Sequence, residues 1–119
     1  MKNKRKKLPL LFVLLLGNLI ALYAGEGVVL YKTEIQLPNG STVTDVAIDT
    51  DGDGLEDTFL ENLDPKIAAH ISMNRRIKEG SVITFDDKGV YKRADGFSYI
   101  IPLDVQTIDG TPARPQNTR

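Results

Sequence analysis

One short segment of the sequence places oxygen ligands at a spacing that suits a hard metal ion. It contains four aspartates: Asp49, Asp51, Asp53 and Asp57. Calcium takes six to eight oxygens at about 2.3–2.6 Å, and carboxylates two residues apart on a tightly turned backbone can converge on one such ion. Gly54 permits the sharp turn, and the carbonyl of Leu55 can supply another oxygen. The spacing therefore predicts a calcium site in which these aspartates and Leu55 are the ligands.

The same segment resembles the DxDxDG calcium loops of EF-hands, dockerins, thrombospondin type III repeats and the integrin alpha-subunit propeller. The resemblance covers residues 49–57 only, so it implies a metal site and not a whole-chain fold. An EF-hand would carry a bidentate glutamate at the twelfth loop position, where this sequence has Leu60. The flanking segments favour strands, so the propeller-type pattern DxDGDGxxD between two β-strands is the nearest resemblance.

A metal-free acidic turn is the alternative interpretation of this segment, because Asp-Gly is common in turns. That interpretation leaves the four aspartates and Glu56 crowded together without a countercharge. Two like charges about 4 Å apart repel by about 1 kcal/mol in water and about 4 kcal/mol at an effective dielectric constant of 20. Magnesium is a weaker alternative than calcium, since it requires strict octahedral geometry and retains its waters.

The first 24 residues have the layout of an export segment. Basic residues fill the stretch before position 8, an apolar run occupies residues 8–24, and Gly25-Glu26-Gly27 follows. This order is typical of a signal peptide, and cleavage after Ala24 is expected. The alternative is an uncleaved membrane anchor, although the run is shorter than the roughly 20 apolar residues of a spanning helix. We expect the rest of the chain to lie outside the cytoplasm, in the periplasm or secreted space.

Composition narrows the function classes of the segment after residue 24. Five of the 15 basic residues precede position 8, so the remainder carries 10 basic and 16 acidic residues, a net charge of −6. That balance does not favour nucleic acid, whose non-specific binding depends on Lys and Arg at phosphates. The chain has no cysteine, which excludes disulfides and thiolate metal sites.

Alternation of apolar and polar residues predicts a mainly β domain over residues 25–109. Strands are expected at residues 29–37, 42–48, 58–63, 81–85, 90–92 and 97–103, with hairpin turns at Asn39-Gly40 and Asp95-Gly96. Asp64-Pro65 and the apolar spacing that follows predict a helix over residues 65–78. This element order favours a small antiparallel barrel or sandwich, with an OB-fold as the leading topology. Residues 110–119 are rich in proline and polar residues and are expected to be disordered.

No constellation of nucleophile and base emerges from the sequence, so an enzyme is not predicted. His70 is the sole histidine, and it is expected to pack beside Ile67 and Ile71 or to lie at the surface. Aromatic residues on strands usually form core or cross-strand pairs, but in an OB-fold some can face outward and stack on sugars or bases. We therefore expect an exported calcium-binding β module with a binding or structural role. The alternative is a membrane-anchored accessory domain, and the candidate partners are another envelope protein or a glycan.

Overall fold

The computed structural model describes residues 25–114; the segment expected to direct export lies outside them, as do residues 115–119. The mainly β prediction is confirmed, with eight strands and one α-helix in the described part. The elements are β1 (Gly25–Gln36), β2 (Thr42–Asp49), β3 (Thr58–Leu63), α1 (Ala68–Arg76), β4 (Val82–Phe85), β5 (Tyr91–Lys92), β6 (Ser98–Ile100), β7 (Val105–Ile108) and β8 (Thr111–Pro112). None of the helices among residues 25–114 has the length and apolar character needed to cross a membrane.

All eight strands belong to one curled sheet, a half-barrel with the order β5-β6-β3-β2-β1-β4-β7-β8. The sheet is mixed rather than purely antiparallel, because β3 and β6 run parallel while the other pairs are antiparallel. β5 pairs with β6, not with β4 as its position after the turn at residues 86–89 suggests. The OB-fold topology is not confirmed by this strand order and stays a prediction.

A β-bulge at Leu30 changes which face of β1 each residue occupies. Val29 pairs with Ile48 and Tyr31 pairs with Ala47, so Leu30 is an extra residue in β1. An extra residue reverses the facing of every later side chain in a strand. Val29 is therefore buried in the core, whereas Tyr31 is 40% exposed, although simple alternation places both on one face.

The core fills the space between one face of the sheet and α1. Its residues are Val29, Val46, Ile48, Leu60, Leu63, Met73, Ile77, Ile83, Phe85, Ile100, Val105, Ile108 and Ala113. The helix is shorter than predicted, since Asp64–Ile67 forms a turn in which the Ile67 N–H donates to the Asp64 carbonyl. Its end agrees better with the prediction, because Ile77 follows directly and its N–H donates to the Met73 carbonyl.

The C-terminal hairpin of β7 and β8 departs from the expectation of disorder after residue 109. Asp109 and Gly110 form its turn with positive φ values of 52° and 83°, and Thr111 pairs with Ile108. Ala113 is buried in the core. Arg76, at the end of α1, donates to the carbonyls of Pro112 and Ala113 through Nη1 and to those of Thr111 and Ile108 through Nη2, at 2.9–3.4 Å. These long-range bonds order a segment whose composition alone favours disorder.

Candidate metal centre

The acidic loop connects β2 to β3, whose pairing fixes both of its ends. Asp49 is the last residue of β2, and Thr58 is the first residue of β3. Ile48 pairs with Thr58 across the ladder, and the Asp57 N–H donates to the Ile48 carbonyl at 3.0 Å. The sheet therefore holds the first and last predicted ligands, Asp49 and Asp57, next to each other.

Asp49 organises the turn from its inside. Its side chain is only 6% exposed. Oδ1 accepts the backbone N–H groups of Asp51 at 3.2 Å and Gly52 at 2.8 Å, and Oδ2 accepts that of Gly54 at 2.7 Å. Three main-chain donors that would otherwise point into the loop without a partner are thereby satisfied, and the loop curls around one carboxylate.

The other loop carboxylates make shorter-range turns of the same kind. Asp51 Oδ1 accepts the N–H of Asp53 at 3.2 Å, and Asp53 Oδ1 accepts the N–H of Leu55 at 2.9 Å. Gly52 and Gly54 have φ values of 79° and 84°, in the left-handed region that glycine adopts without a Cβ penalty. Aspartate and glycine thus alternate for a local reason: one supplies the acceptor and the other the backbone conformation.

Asp57 closes the loop at the sheet. Its Oδ2 accepts the Thr50 N–H at 2.9 Å, and its Oδ1 accepts the hydroxyls of Thr50 at 2.6 Å and Thr58 at 2.7 Å. The two hydroxyls fix the direction of this carboxylate. Sequence reasoning did not single out either threonine, although their positions immediately after Asp49 and Asp57 are the available signal.

The four aspartates converge as the spacing predicts. Each can offer one carboxylate oxygen such that these oxygens all lie within 4.8 Å of one another. Asp49 is buried, Asp57 is partly exposed, and Asp51 and Asp53 are exposed. A cluster of this size and accessibility can hold a metal ion. Leu55 is predicted to contribute a carbonyl oxygen; its side chain is 65% exposed, and its role as a ligand stays a prediction.

The electrostatics of the loop separate its first two carboxyls. Burial raises the pKa of Asp49, but the hydrogen bonds from Gly54, Asp51 and Gly52 outweigh that effect and the net pKa is lowered. The pKa of Asp51 is raised, first by its interaction with the Asp49 carboxylate and further by Asp53. Asp49 is therefore held as a charged centre, and crowding disfavours a second negative charge beside it.

Tyr31 connects this loop to the sheet, which sequence reasoning missed. Its hydroxyl donates to Glu56 Oε2 at 3.2 Å. Glu56 is thereby directed toward Tyr31, and it is not among the four converging carboxylates. The contact depends on the Leu30 bulge, which no local pattern reveals.

His70 and Ser81 both have structural partners. His70 Nδ1 accepts the Asp64 N–H at 3.0 Å, so the ring stabilises the turn that precedes α1. Ser81 Oγ accepts the Lys78 N–H and donates to Asp109 Oδ2. Ser81 thereby joins the segment after α1 to the turn between β7 and β8.

Comparison with family models and with curated proteins finds no relative. The geometry of residues 25–114 and the sequence pattern are therefore the basis on which a function is proposed.

Proposed function

We propose that this chain is an exported β module that binds one calcium ion in the loop at residues 49–57 and serves a binding or structural role outside the cytoplasm. The observation that supports the proposal is the convergence of four carboxylates to within 4.8 Å on a loop whose backbone is already curled around Asp49. The basic-apolar-small order of residues 1–27 supports export.

The chemistry of the donor set favours calcium over other ions. All of the clustered groups are carboxylates, which suit hard cations, whereas zinc and copper sites draw on histidine and thiolate. The loop amides occupy Oδ1 of Asp51 and Oδ1 of Asp53, so Oδ2 of each is available for an ion. The flexible geometry that calcium accepts suits a partly exposed loop better than the octahedron of magnesium does.

Thermal unfolding of the full chain with and without calcium tests the proposal. Extracellular calcium modules bind with dissociation constants of about 10⁻⁴–10⁻³ M. An ion that binds only the native state adds about 2.7 kcal/mol at a hundredfold excess over Kd. We expect the melting temperature to rise with millimolar calcium and to return to its starting value with a chelator.

Single substitutions distinguish ligands from neighbours. Asp51→Ala and Asp53→Ala should each abolish the calcium response, because each removes a ligand. Glu56→Ala is the matched control, since Glu56 lies in the same loop but contacts Tyr31. The proposal is wrong if millimolar calcium changes neither the melting curve nor the backbone amide resonances of residues 49–57.

A further inference from the structure

A row of four aromatic residues and one alanine crosses five strands on the face of the sheet opposite the core. Residues paired directly across neighbouring strands share a face, and these pairs run Tyr31–Ala47, Ala47–Phe59, Phe59–Tyr99 and Tyr99–Tyr91. We call these five residues the aromatic row. The next row along the strands, Val46, Leu60 and Ile100, is fully buried on the other face. With strands about 4.8 Å apart, the aromatic row is about 19 Å long.

The row is open to solvent at its two ends, whereas Ala47, which pairs with both Tyr31 and Phe59, is fully buried. Tyr91 stacks on Tyr99 with ring centroids 5.2 Å apart, and Phe59 meets Phe97 edge to face at 5.4 Å. Tyr31 and Tyr91, at the two ends, are 40% and 46% exposed. Aromatic side chains on a solvent-facing sheet surface are a common means of ligand contact, because a tyrosine combines a broad apolar ring with a polar tip.

The Leu30 bulge determines that Tyr31 belongs to this surface. Without the extra residue, Tyr31 would follow Val29 into the core. The bulge instead places Tyr31 at one end of the aromatic row, where its hydroxyl donates to Glu56.

The charges around the row indicate which ligand it suits. Arg93 lies 5.6 Å above the ring of Phe59, but it is paired with Glu61 and with Asp95. Asp45 faces the same side as Ala47, two residues along β2, and Glu56 lies at the Tyr31 end. A phosphate or sulfate would meet these carboxylates. An uncharged molecule rich in hydroxyl groups would instead find acceptors beside stacking surfaces.

We propose that the aromatic row binds a neutral oligosaccharide, whose sugar rings stack their C–H faces on Tyr31, Tyr91 and Tyr99. Carboxylates at Asp45 and Glu61 accept hydrogen bonds from the sugar hydroxyls. This second site does not require the metal, because none of its residues is one of the loop aspartates, and Tyr91 and Tyr99 lie on β5 and β6, which do not flank the loop. Calcium contributes only through the Tyr31–Glu56 contact.

Titration of the isotope-labelled full chain with cellohexaose, chitohexaose and mannohexaose tests this proposal, followed by the backbone amide resonances. At least one of these should shift the resonances of Phe59, Tyr91 and Tyr99 and saturate in the millimolar range or below. Tyr91→Ala should weaken that binding about tenfold, because a stacking contact is lost. Tyr91→Phe should retain most of it. Ile71→Ala is the matched control, since Ile71 is 39% exposed on α1, on the opposite side of the sheet.

Further measurements distinguish binding of a neutral sugar from binding of an anionic polymer, and the sugar site from the calcium site. Binding of hyaluronan or a short single-stranded oligothymidylate in place of the neutral sugars would overturn it, as would sugar binding that Tyr91→Ala leaves unchanged. So would a lack of response to all three sugars at about 10 mM, a concentration that detects even weak complexes. Each titration is run with calcium and with a chelator. Sugar binding that persists in a chain insensitive to calcium would refute the metal site and leave the aromatic row intact.

Discussion

The acidic loop at residues 49–57 and the C-terminal hairpin at residues 105–113 are each held by one charged side chain that collects several main-chain groups. In the loop, the Asp49 carboxylate accepts three backbone N–H groups. In the hairpin, the Arg76 guanidinium donates to four backbone carbonyls. The two regions differ in reach: Asp49 contacts residues two to five positions away, whereas Arg76 contacts residues 32 to 37 positions away. Contacts between residues a few positions apart can be predicted from the sequence, whereas contacts between distant segments cannot.

The largest predicted change in unfolding free energy comes from replacing Arg76, whose contacts are distant in sequence. Arg76→Ala leaves four carbonyls of the hairpin without their charged donor, and one hydrogen bond to a charged group contributes about 1.5–3 kcal/mol to stability. Because two of these contacts are exposed, water can replace the donor there and the total loss is smaller than the sum of four such bonds. We expect the free energy of unfolding to fall by about 3 kcal/mol in chemical denaturation. Hydrogen exchange should accelerate most at residues 105–113.

Arg75→Ala is the control for this change, because Arg75 is the preceding helix residue and is exposed. It should alter the unfolding free energy by less than about 0.5 kcal/mol, as exposed substitutions usually do. Equal losses from the two arginine variants would show that Arg76 acts through general charge or helix propensity and not through its carbonyl contacts.

The second largest predicted change in unfolding free energy comes from replacing Asp49, whose contacts are local, in the absence of calcium. Asp49→Ala takes away the acceptor of three amides, and because water can reach part of the loop we expect a loss of about 2 kcal/mol in unfolding free energy measured with chelator present. Asp51→Ala provides the contrast. Its carboxyl is exposed and repelled by Asp49, so its removal should leave the calcium-free stability unchanged or raised. If both substitutions destabilise the calcium-free chain alike, Asp49 has no special organising role.

The smallest predicted effect isolates the backbone of the loop from its carboxylates. Gly52 has a φ of 79° and no atom within 4 Å of the position that a Cβ would occupy. Gly52→Ala should therefore lower the unfolding free energy by about 1 kcal/mol through conformation alone. Gly52→Asn should lower it less, since asparagine tolerates the left-handed region. Thermal unfolding of the two variants provides the comparison. Equal losses of unfolding free energy would indicate that a steric clash of the new side chain, and not backbone strain, causes the effect.

The parts of the structure that the sequence predicts well are those with local causes. The Asn39-Gly40 turn, the bounds of β3 and the convergence of the four aspartates all follow from residues a few positions apart. The β7–β8 hairpin did carry a local signal in Asp109-Gly110. That signal was weak because the strands are short and the flanking sequence contains proline. The Arg76 contacts that order the segment join residues more than 30 positions apart.

Features that depend on pairing between distant strands were not predictable in this way. The parallel alignment of β3 with β6 joins residues about 40 positions apart, and no local pattern encodes it. The start of α1 was misplaced because Asp64-Pro65 is equally suited to the turn that the structure contains. The aromatic row could not be predicted from the sequence, because its members become neighbours only when five strands are paired in register.

The single extra residue at Leu30 also limits how this chain can change in length. Deleting one residue from β1 at this point would move Tyr31 to the core side and reverse every residue as far as Gln36. Inserting a second one would do the same. The exposed turn at residues 38–40 has no such constraint, because a longer connection there leaves the β1–β2 register intact. In a lineage of such chains, insertions and deletions would therefore accumulate at the hairpin tip, while the number of residues between Val29 and Gln36 would be preserved.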